Sequence, residues 1–111
     1  MSGLTILCVE DRSDYMAILT AMLEGIGYDV IPARSKGQAI ELLSKQPFDG
    51  ILLEYNLADA PGTSLRAEMK RMRPHVPVLL FDGASSQTPV MLRFFDAYLH
   101  DMEKVGAELG D

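Results

Sequence analysis

The feature that most constrains this chain is a regular alternation of short apolar runs with longer segments of helical period. The short runs cover residues 5–9, 29–33, 50–54, 77–81 and 97–99. The first, third and fourth runs are apolar on both faces, which is typical of parallel strands that are covered by helices on both sides. In the segments between them, apolar residues recur every three or four positions, as on the buried face of a helix.

Capping residues mark where these helices begin and end. Ser35 followed by Gln38 forms a capping-box pattern, and Thr88 followed by Pro89 is typical of a first turn. Stop signals close the first three helices: Gly25 and Gly27, Pro47, and Pro74. A short fifth helix is predicted over residues 102–109. The alternation therefore predicts one domain over residues 1–111, with an open, doubly wound α/β sheet and helices on both faces.

Composition narrows the classes of function. Of 111 residues, 48% are hydrophobic, and the formal net charge is −6 with a pI of about 4.8. An anionic surface is repelled by nucleic acid and by acidic membranes, so we expect no direct nucleic-acid binding and no membrane binding. No apolar stretch approaches the roughly 20 residues that span a bilayer, and the start "MSGLTI" is unlike a signal peptide. We expect a cytoplasmic domain in which the single cysteine, Cys8, is buried.

Acidic residues stand at the carboxyl ends of the first, third, fourth and fifth predicted strands. They are Glu10, Asp11, Glu54, Asp82 and Asp101. In open α/β sheets, ligands bind outside these strand ends, so we expect a shared acidic crevice there. Like charges and partial burial both raise the pKa values of carboxyl groups. We therefore expect either a compensating cation, such as Mg²⁺, Arg12 or Lys104, or a raised pKa for at least one acid, foremost Glu54.

Four blocks of the sequence resemble those of a response-regulator receiver domain in two-component signalling. They are "ILCVEDRSD", "DGILLEYNLADAPG", "VPVLLFDGAS" and "DAYLHDME", and together they extend over nearly the whole chain. The resemblance implies a flavodoxin-like fold with strand order 2-1-3-4-5, the first and fifth helices on one face and the other three opposite. In that family, an Asp at the end of the third strand accepts a phosphoryl group from a histidine kinase.

The resemblance also implies roles for individual residues. Glu10 and Asp11 match the acidic pair that helps to hold Mg²⁺, and Asn56 falls where a backbone carbonyl joins the metal shell. With Glu54, they form a possible metal site. Gly62 matches the loop glycine. The remaining key positions depart from the family pattern: the phosphoacceptor position is Glu54, the Thr/Ser position is Asp82, the Lys position is Asp101, and the aromatic switch position is Tyr98.

These departures predict a site that does not catalyse phosphorylation, so the domain is not expected to be an enzyme. Two charges about 4 Å apart interact by roughly 4 kcal/mol at an effective dielectric of ~20, so Asp101 in place of Lys reverses a large attraction. We expect a phosphorylation-independent interaction module. Three alternatives stay open: Glu54 imitates a phosphorylated state, the acids form a divalent-cation-binding module, or the chain is a phosphoacceptor that uses an atypical acid.

The resemblance further predicts a protein partner, either a histidine kinase or an output domain. The surface of the fourth helix, fifth strand and fifth helix is the usual face for output and dimerisation in receivers. Here the spacing from Asp82 to Asp101 predicts a fourth helix that is shortened by nearly a turn. Exposed rings at Phe94 and Phe95 would then suggest a changed partner or a homodimer through this face.

Overall fold

The computed structural model describes residues 3–84 and 87–108, with side chains described as far as residue 102. Strands and helices alternate along the whole of this part of the chain. In order they are β1 (Thr5–Val9), α1 (Ser13–Ile26), β2 (Asp29–Ala33), α2 (Lys36–Lys45), β3 (Gly50–Glu54), α3 (Gly62–Met72), β4 (Val78–Phe81) and α4 (Thr88–Glu108). No helix among the described residues is long and apolar enough to cross a membrane.

The strands form one parallel sheet in the order β2-β1-β3-β4. Leu7 of β1 lies opposite Ile51 of β3, and Leu53 of β3 lies opposite Leu80 of β4. The predicted parallel α/β sheet with helices on both faces is confirmed. Because β1 and β3 lie in the middle, their carboxyl ends are neighbours, which brings together the residues that follow them.

Two apolar clusters cover the two faces of the sheet. On one face, α1 and α4 pack against the sheet through side chains such as Leu19, Leu23 and Leu92. On the other face, α2 and α3 do so through side chains such as Leu43 and Leu65. The prediction that the fourth helix lies beside the second and third is therefore wrong, since α4 shares its face with α1.

The predicted fifth strand is also wrong, because residues 97–99 lie inside α4. This helix has 21 residues, so it is not shortened, and the predicted fifth helix is its last part. Phe95 and Leu99 are buried one helical turn apart. They pack over Gly50 of β3, where a Cβ atom would lie 2.8 Å from the Phe95 ring and 3.2 Å from Leu99. The apolar residues near position 97 thus belong to a helical stripe.

The ends of α1 and α2 follow the capping residues. Gly27 ends α1 with φ of 114°, a left-handed conformation that favours glycine, and its N–H donates to the Glu24 carbonyl. At the start of α2, the Ser35 hydroxyl accepts from the Gln38 N–H at 3.2 Å. The capping prediction for Ser35 is confirmed.

Candidate functional site

Two buried acids lie at the carboxyl ends of the two central strands. Glu10 directly follows β1 and is fully buried, and Glu54 is the last residue of β3 and is 3% exposed. They are the buried charged side chains of the described part of the chain. The parallel pairing of β1 with β3 explains why they are neighbours, as the sequence predicted.

Backbone N–H groups on two sides hold the Glu54 carboxylate. Its Oε2 atom accepts from the N–H of Tyr55 at 2.8 Å. The N–H of Gly83, in the loop after β4, donates to both oxygens at 3.2 and 3.1 Å. Burial nevertheless raises the pKa of Glu54, and the negative charge of Asp82 raises it further. Glu54 therefore ties the end of β3 to the loop between β4 and α4.

The Glu10 carboxylate accepts fewer hydrogen bonds than the Glu54 carboxylate. Its Oε1 atom accepts from the N–H of Arg12 at 3.0 Å, whereas its Oε2 atom is buried without a hydrogen-bond partner. Burial is the main cause that raises the pKa of Glu10 to about 7, and the charges of Glu54 and Asp11 add to it. The pKa values of both buried acids are therefore raised, in the direction that burial and neighbouring like charges predict.

The loop after β3 is closed by backbone contacts that leave no space for a side chain at Gly62. A Cβ atom there would lie 2.8 Å from the Glu54 carbonyl oxygen and 2.8 Å from the Tyr55 Cα atom. The Gly62 N–H donates to the Tyr55 carbonyl at 3.0 Å, and Asn56 forms a bridge with Pro61. Close approach of the backbone therefore explains the glycine that the sequence analysis singled out.

Two of the predicted metal ligands, Asp11 and Glu54, already accept hydrogen bonds from backbone N–H groups. The Asp11 Oδ2 atom accepts from the N–H of Ala58 at 2.7 Å, and Glu54 accepts from two backbone N–H groups. Among residues 3–84 and 87–102, no group of three or more His, Cys, Asp or Glu side chains is arranged to hold a metal ion.

Asp82, Asp101 and Tyr98 are exposed and lie outside the buried pair of Glu10 and Glu54. Asp82 lies at the end of β4, is exposed, and accepts from the N–H of Ala84 at 3.0 Å. Asp101 and Tyr98 lie on α4 and are exposed, so their predicted places after and within a fifth strand are wrong. The Arg12 guanidinium lies over the ring of Tyr15, 4.3 Å from its centroid. The side chain of Lys104 lies outside the described residues.

Sequence analysis missed Gly83, whose N–H is a central hydrogen-bond donor of the site. A Cβ atom on this residue would lie 2.8 Å from the Tyr15 ring and 2.9 Å from Glu10 Oε2. Absence of a side chain thus lets the loop approach both buried acids. The available signal was a glycine two residues after a strand end, although a backbone donor leaves little other trace in a sequence.

Comparison with known proteins agrees with this architecture. Residues 6–102 match the response regulator receiver domain family. The chain is 37% identical to the transcriptional regulatory protein ZraR of Escherichia coli K12 over 84 residues, which are 76% of this chain and 19% of ZraR. The chain thus spans about a fifth of the length of this relative.

Solved structures give the same fold. A CheY-like receiver domain protein from Methanospirillum hungatei superposes with a TM-score of 0.80 over 93% of this chain and 98% of its own, at 24% identity. A Burkholderia pseudomallei response regulator, solved with a phosphorylated aspartic acid, a calcium ion and citrate, has a TM-score of 0.68 and 28% identity over 75% of this chain and 49% of its own. The family match, the shared fold and the acids at the ends of β1 and β3 together establish that this chain belongs to the response-regulator receiver domain family.

Proposed function

We propose that this receiver domain acts in two-component signalling through protein contacts that do not depend on phosphorylation. The observation that carries the proposal is the Glu54 carboxylate, which is buried and already accepts hydrogen bonds from the N–H groups of Tyr55 and Gly83. By the resemblance, Glu54 stands at the phosphoacceptor position. It joins β3 to the loop after β4 without a phosphate.

The surroundings of Glu54 oppose phosphoryl transfer to it. Transfer needs an accessible oxygen and positive charge that neutralises the incoming group. Glu54 is 3% exposed, and its pKa is raised, which lowers the fraction of the nucleophilic carboxylate. Its charged neighbours are the acids Glu10 and Asp82. Asp101, at the position where the family has Lys, is an acid on α4, and no cationic side chain of the described residues is among the groups that shift the pKa of Glu54.

Phosphorylation with a small donor tests the proposal directly. The chain is incubated with acetyl phosphate and Mg²⁺, and its intact mass is measured beside a receiver domain that has an acceptor aspartate. We expect the control to gain a phosphoryl group and this chain to gain none. An adduct on this chain that Glu54→Gln abolishes would contradict the proposal and support a phosphoacceptor with an atypical acid.

A second measurement asks whether Glu54 holds the loop in one state. Amide hydrogen exchange at Gly83 is compared in the presence and absence of beryllium fluoride, an analogue of the phosphoryl group. We expect slow exchange in both conditions, because the Gly83 N–H already donates to Glu54. Glu54→Ala removes the acceptor and should speed exchange at Gly83, whereas Glu41→Ala, on exposed α2, should leave it unchanged. Protection of Gly83 that appears only with beryllium fluoride would contradict a permanently held loop.

Divalent-cation binding stays a prediction, and one observation favours testing it. The buried Glu10 Oε2 atom has no hydrogen-bond partner. A cation or a proton bound there would lower the free-energy cost of burying this oxygen. Mg²⁺ bound to the folded state should raise the melting temperature at neutral pH and lose this effect on acidification. Titration of the unmodified chain and of Glu10→Gln with Mg²⁺ distinguishes cation binding from protonation. If Glu10 only takes up a proton, the melting temperatures of both proteins are insensitive to Mg²⁺.

The partner class also stays a proposal. A histidine kinase or an output domain is the partner that the family resemblance implies. The predicted homodimer face loses its fifth strand and separate fifth helix, and α4 alone remains. Val90, Phe94, Tyr98 and Met102 are exposed at four-residue steps along α4. The net charge of −6 opposes self-association at low ionic strength. Sedimentation over a range of protein concentrations tests whether a dimer forms.

A further inference from the structure

The outer edge of β4 is not paired with another strand in the described part of the chain. The carbonyls of Pro77 and Phe81 accept from the N–H groups of Ile51 and Tyr55 on the β3 side, at 2.9 and 2.7 Å. In a parallel ladder, alternate residues bond to the same neighbour, so the residues between them turn the other way. The N–H and C=O groups of Val78 and Leu80 therefore point outward, as a template for another strand.

A groove of about 340 Å³ runs along this edge between α3 and α4. Its walls include Arg66 and Lys70 from α3, Val78 and Leu79 from β4, and Phe94 and Tyr98 from α4. The two sides differ in chemistry. The α3 side presents two cationic side chains, whereas the α4 side presents aromatic rings that are 72% and 50% exposed.

Just before β4, two backbone carbonyls already accept hydrogen bonds from a side chain of α3. The ammonium group of Lys70 donates to the carbonyls of Pro74 and Val76, at 3.0 and 2.9 Å. This contact keeps one positive charge at the mouth of the groove, and the carbonyls that it engages belong to residues that precede Val78 and Leu80. Because side chains alternate along a strand, an added strand here would direct one set toward α3 and the other toward α4.

We propose that β4 accepts an extended segment of a partner protein as an added β-strand, with acidic side chains toward Arg66 and Lys70 and apolar side chains toward Phe94 and Tyr98. Main-chain hydrogen bonds would give such a complex its affinity, and the two unlike walls would give it specificity. The proposal goes beyond the proposed function, since it names the chemistry of a partner and holds whether or not Glu54 is phosphorylated.

Charge complementarity selects this occupant over a second copy of the chain. The chain carries a net charge of −6, yet the α3 wall of the groove is basic. In a two-fold antiparallel pairing of two β4 edges, both α3 helices would lie on the same face of the joined sheet. Arg66 and Lys70 of the two copies would then approach one another, and like charges repel. A segment with acids at every second position meets these cations without that repulsion.

Binding of synthetic peptides tests the alternation. A labelled nine-residue peptide in which glutamate alternates with valine and threonine is titrated with the chain, and fluorescence anisotropy gives its Kd. One control has the same composition with its acids grouped in a block, and another has lysine in place of each glutamate. We expect the alternating acidic peptide to bind and both controls to bind at least about tenfold more weakly. Equal binding of the three peptides, or binding of none, would overturn the proposal.

Three variants locate the site. Val78→Pro removes an outward N–H while the hydrogen bonds to β3, made by residues 77, 79 and 81, are kept. Arg66→Glu reverses charge on one wall, and Phe94→Ser removes an exposed ring from the other. Each should weaken binding of the alternating peptide about tenfold or more, equivalent to ~1.4 kcal/mol. The matched control Lys45→Glu, whose side chain is 67% exposed on α2, should not.

The pattern of losses distinguishes the possible occupants. Melting curves establish that each variant is folded, and Arg66 and Phe94 are exposed, so their replacement is compatible with folding. Full binding to Val78→Pro would mean that the peptide does not add to the edge, and full binding to Arg66→Glu would mean that its acids do not face α3. Dimerisation of the unmodified chain that Val78→Pro abolishes would assign the edge to a second copy. Each of these results would overturn the proposal.

Discussion

Two neighbouring strands of similar composition, β3 and β4, have very different surroundings. Every residue of β3, "GILLE", is buried, whereas in β4, "VLLF", only Phe81 is buried and the other three are partly exposed. Strand β3 pairs on both sides, whereas β4 pairs with β3 alone among the strands of the described residues. The comparison teaches that the place of a strand in the sheet, and not its own apolar content, decides how much of it is covered.

The same contrast separates two possible roles. At the end of β3, the Glu54 carboxylate is buried and its hydrogen bonds are made within the chain, so it has little capacity left for a ligand. Along β4, backbone groups and aromatic rings face outward. We therefore expect the end of β3 to be rigid and the edge of β4 to be the surface that responds to a partner.

The largest expected effect compares two leucines that lie opposite each other. Leu52 of β3 is fully buried, and Leu79 of β4 is partly exposed on the same face of the sheet. We expect Leu52→Ala to lower the free energy of unfolding by about 3–5 kcal/mol and Leu79→Ala by about half of that or less. Urea denaturation measures both. Equal costs would break the comparison, since they would mean that the β4 edge is covered in solution.

A second prediction tests the rigidity at the end of β3. Gly62→Ala places a Cβ atom 2.8 Å from backbone atoms of Glu54 and Tyr55, so we expect a loss of about 2–3 kcal/mol. The control Gly25→Ala lies in α1, where nothing is within 4 Å of the added atom. It should stabilise the domain by roughly 0.5–1 kcal/mol through helix propensity. A neutral Gly62→Ala would show that the loop after β3 yields easily.

A third prediction concerns pH. The pKa of Glu10 is raised from 4.5 to about 7, so the folded state binds a proton more readily than the unfolded state. Stability should therefore rise as the pH falls through 7 toward 4.5, by on the order of 1–2 kcal/mol. Melting curves at pH 8, 7, 6 and 5 measure this gain.

Glu10→Gln removes that titration and should reduce the pH dependence between 5 and 8, leaving the part that the raised pKa of Glu54 contributes. Asp14→Asn, in the exposed first turn of α1, is the matched control and should keep the wild-type profile. A profile of Glu10→Gln that equals the wild-type profile would mean that the buried acid of β1 does not titrate in this range.

The smallest expected effect is on α4. Phe94 is 72% exposed, so Phe94→Ser should change the free energy of unfolding by no more than about 0.5 kcal/mol. Its neighbour Phe95 is 4% exposed, and Phe95→Ser should cost several kcal/mol, about 3–5 by analogy with other large-to-small core changes. Chemical denaturation of both variants measures the difference. A large cost for Phe94→Ser would show that another part of the protein covers this side of the groove.

The four strands could be predicted because they depend on local patterns, and so could the proximity of Glu10 to Glu54. A short run that is apolar on both faces indicates a buried parallel strand, and parallel strands bring their carboxyl ends to one edge of the sheet. Residues 97–99 could not be assigned this way, because three apolar-rich positions fit a strand and a helix equally well. Packing of Phe95 and Leu99 over Gly50, which is far away in sequence, decides for the helix.

The misplacement of Asp101 and Tyr98 follows from that one error, since both were positioned relative to the fifth strand. Gly83 was missed for a different reason. Its contribution is a backbone N–H and the absence of a Cβ atom, and neither has a chemical signature in the sequence. Sites built from backbone donors are therefore harder to predict than sites built from acids.

Because of its position, Cys8 can report how often the centre of the sheet becomes exposed to solvent. Cys8 lies in β1 opposite Pro32 of β2 and Leu52 of β3. Its thiol is fully buried, and burial is the main cause that raises its pKa to about 12. A reagent such as iodoacetamide attacks the thiolate, which forms readily only when water reaches the sulfur. As the chain holds one cysteine, its alkylation rate records how often the centre of the sheet opens, without any engineered label.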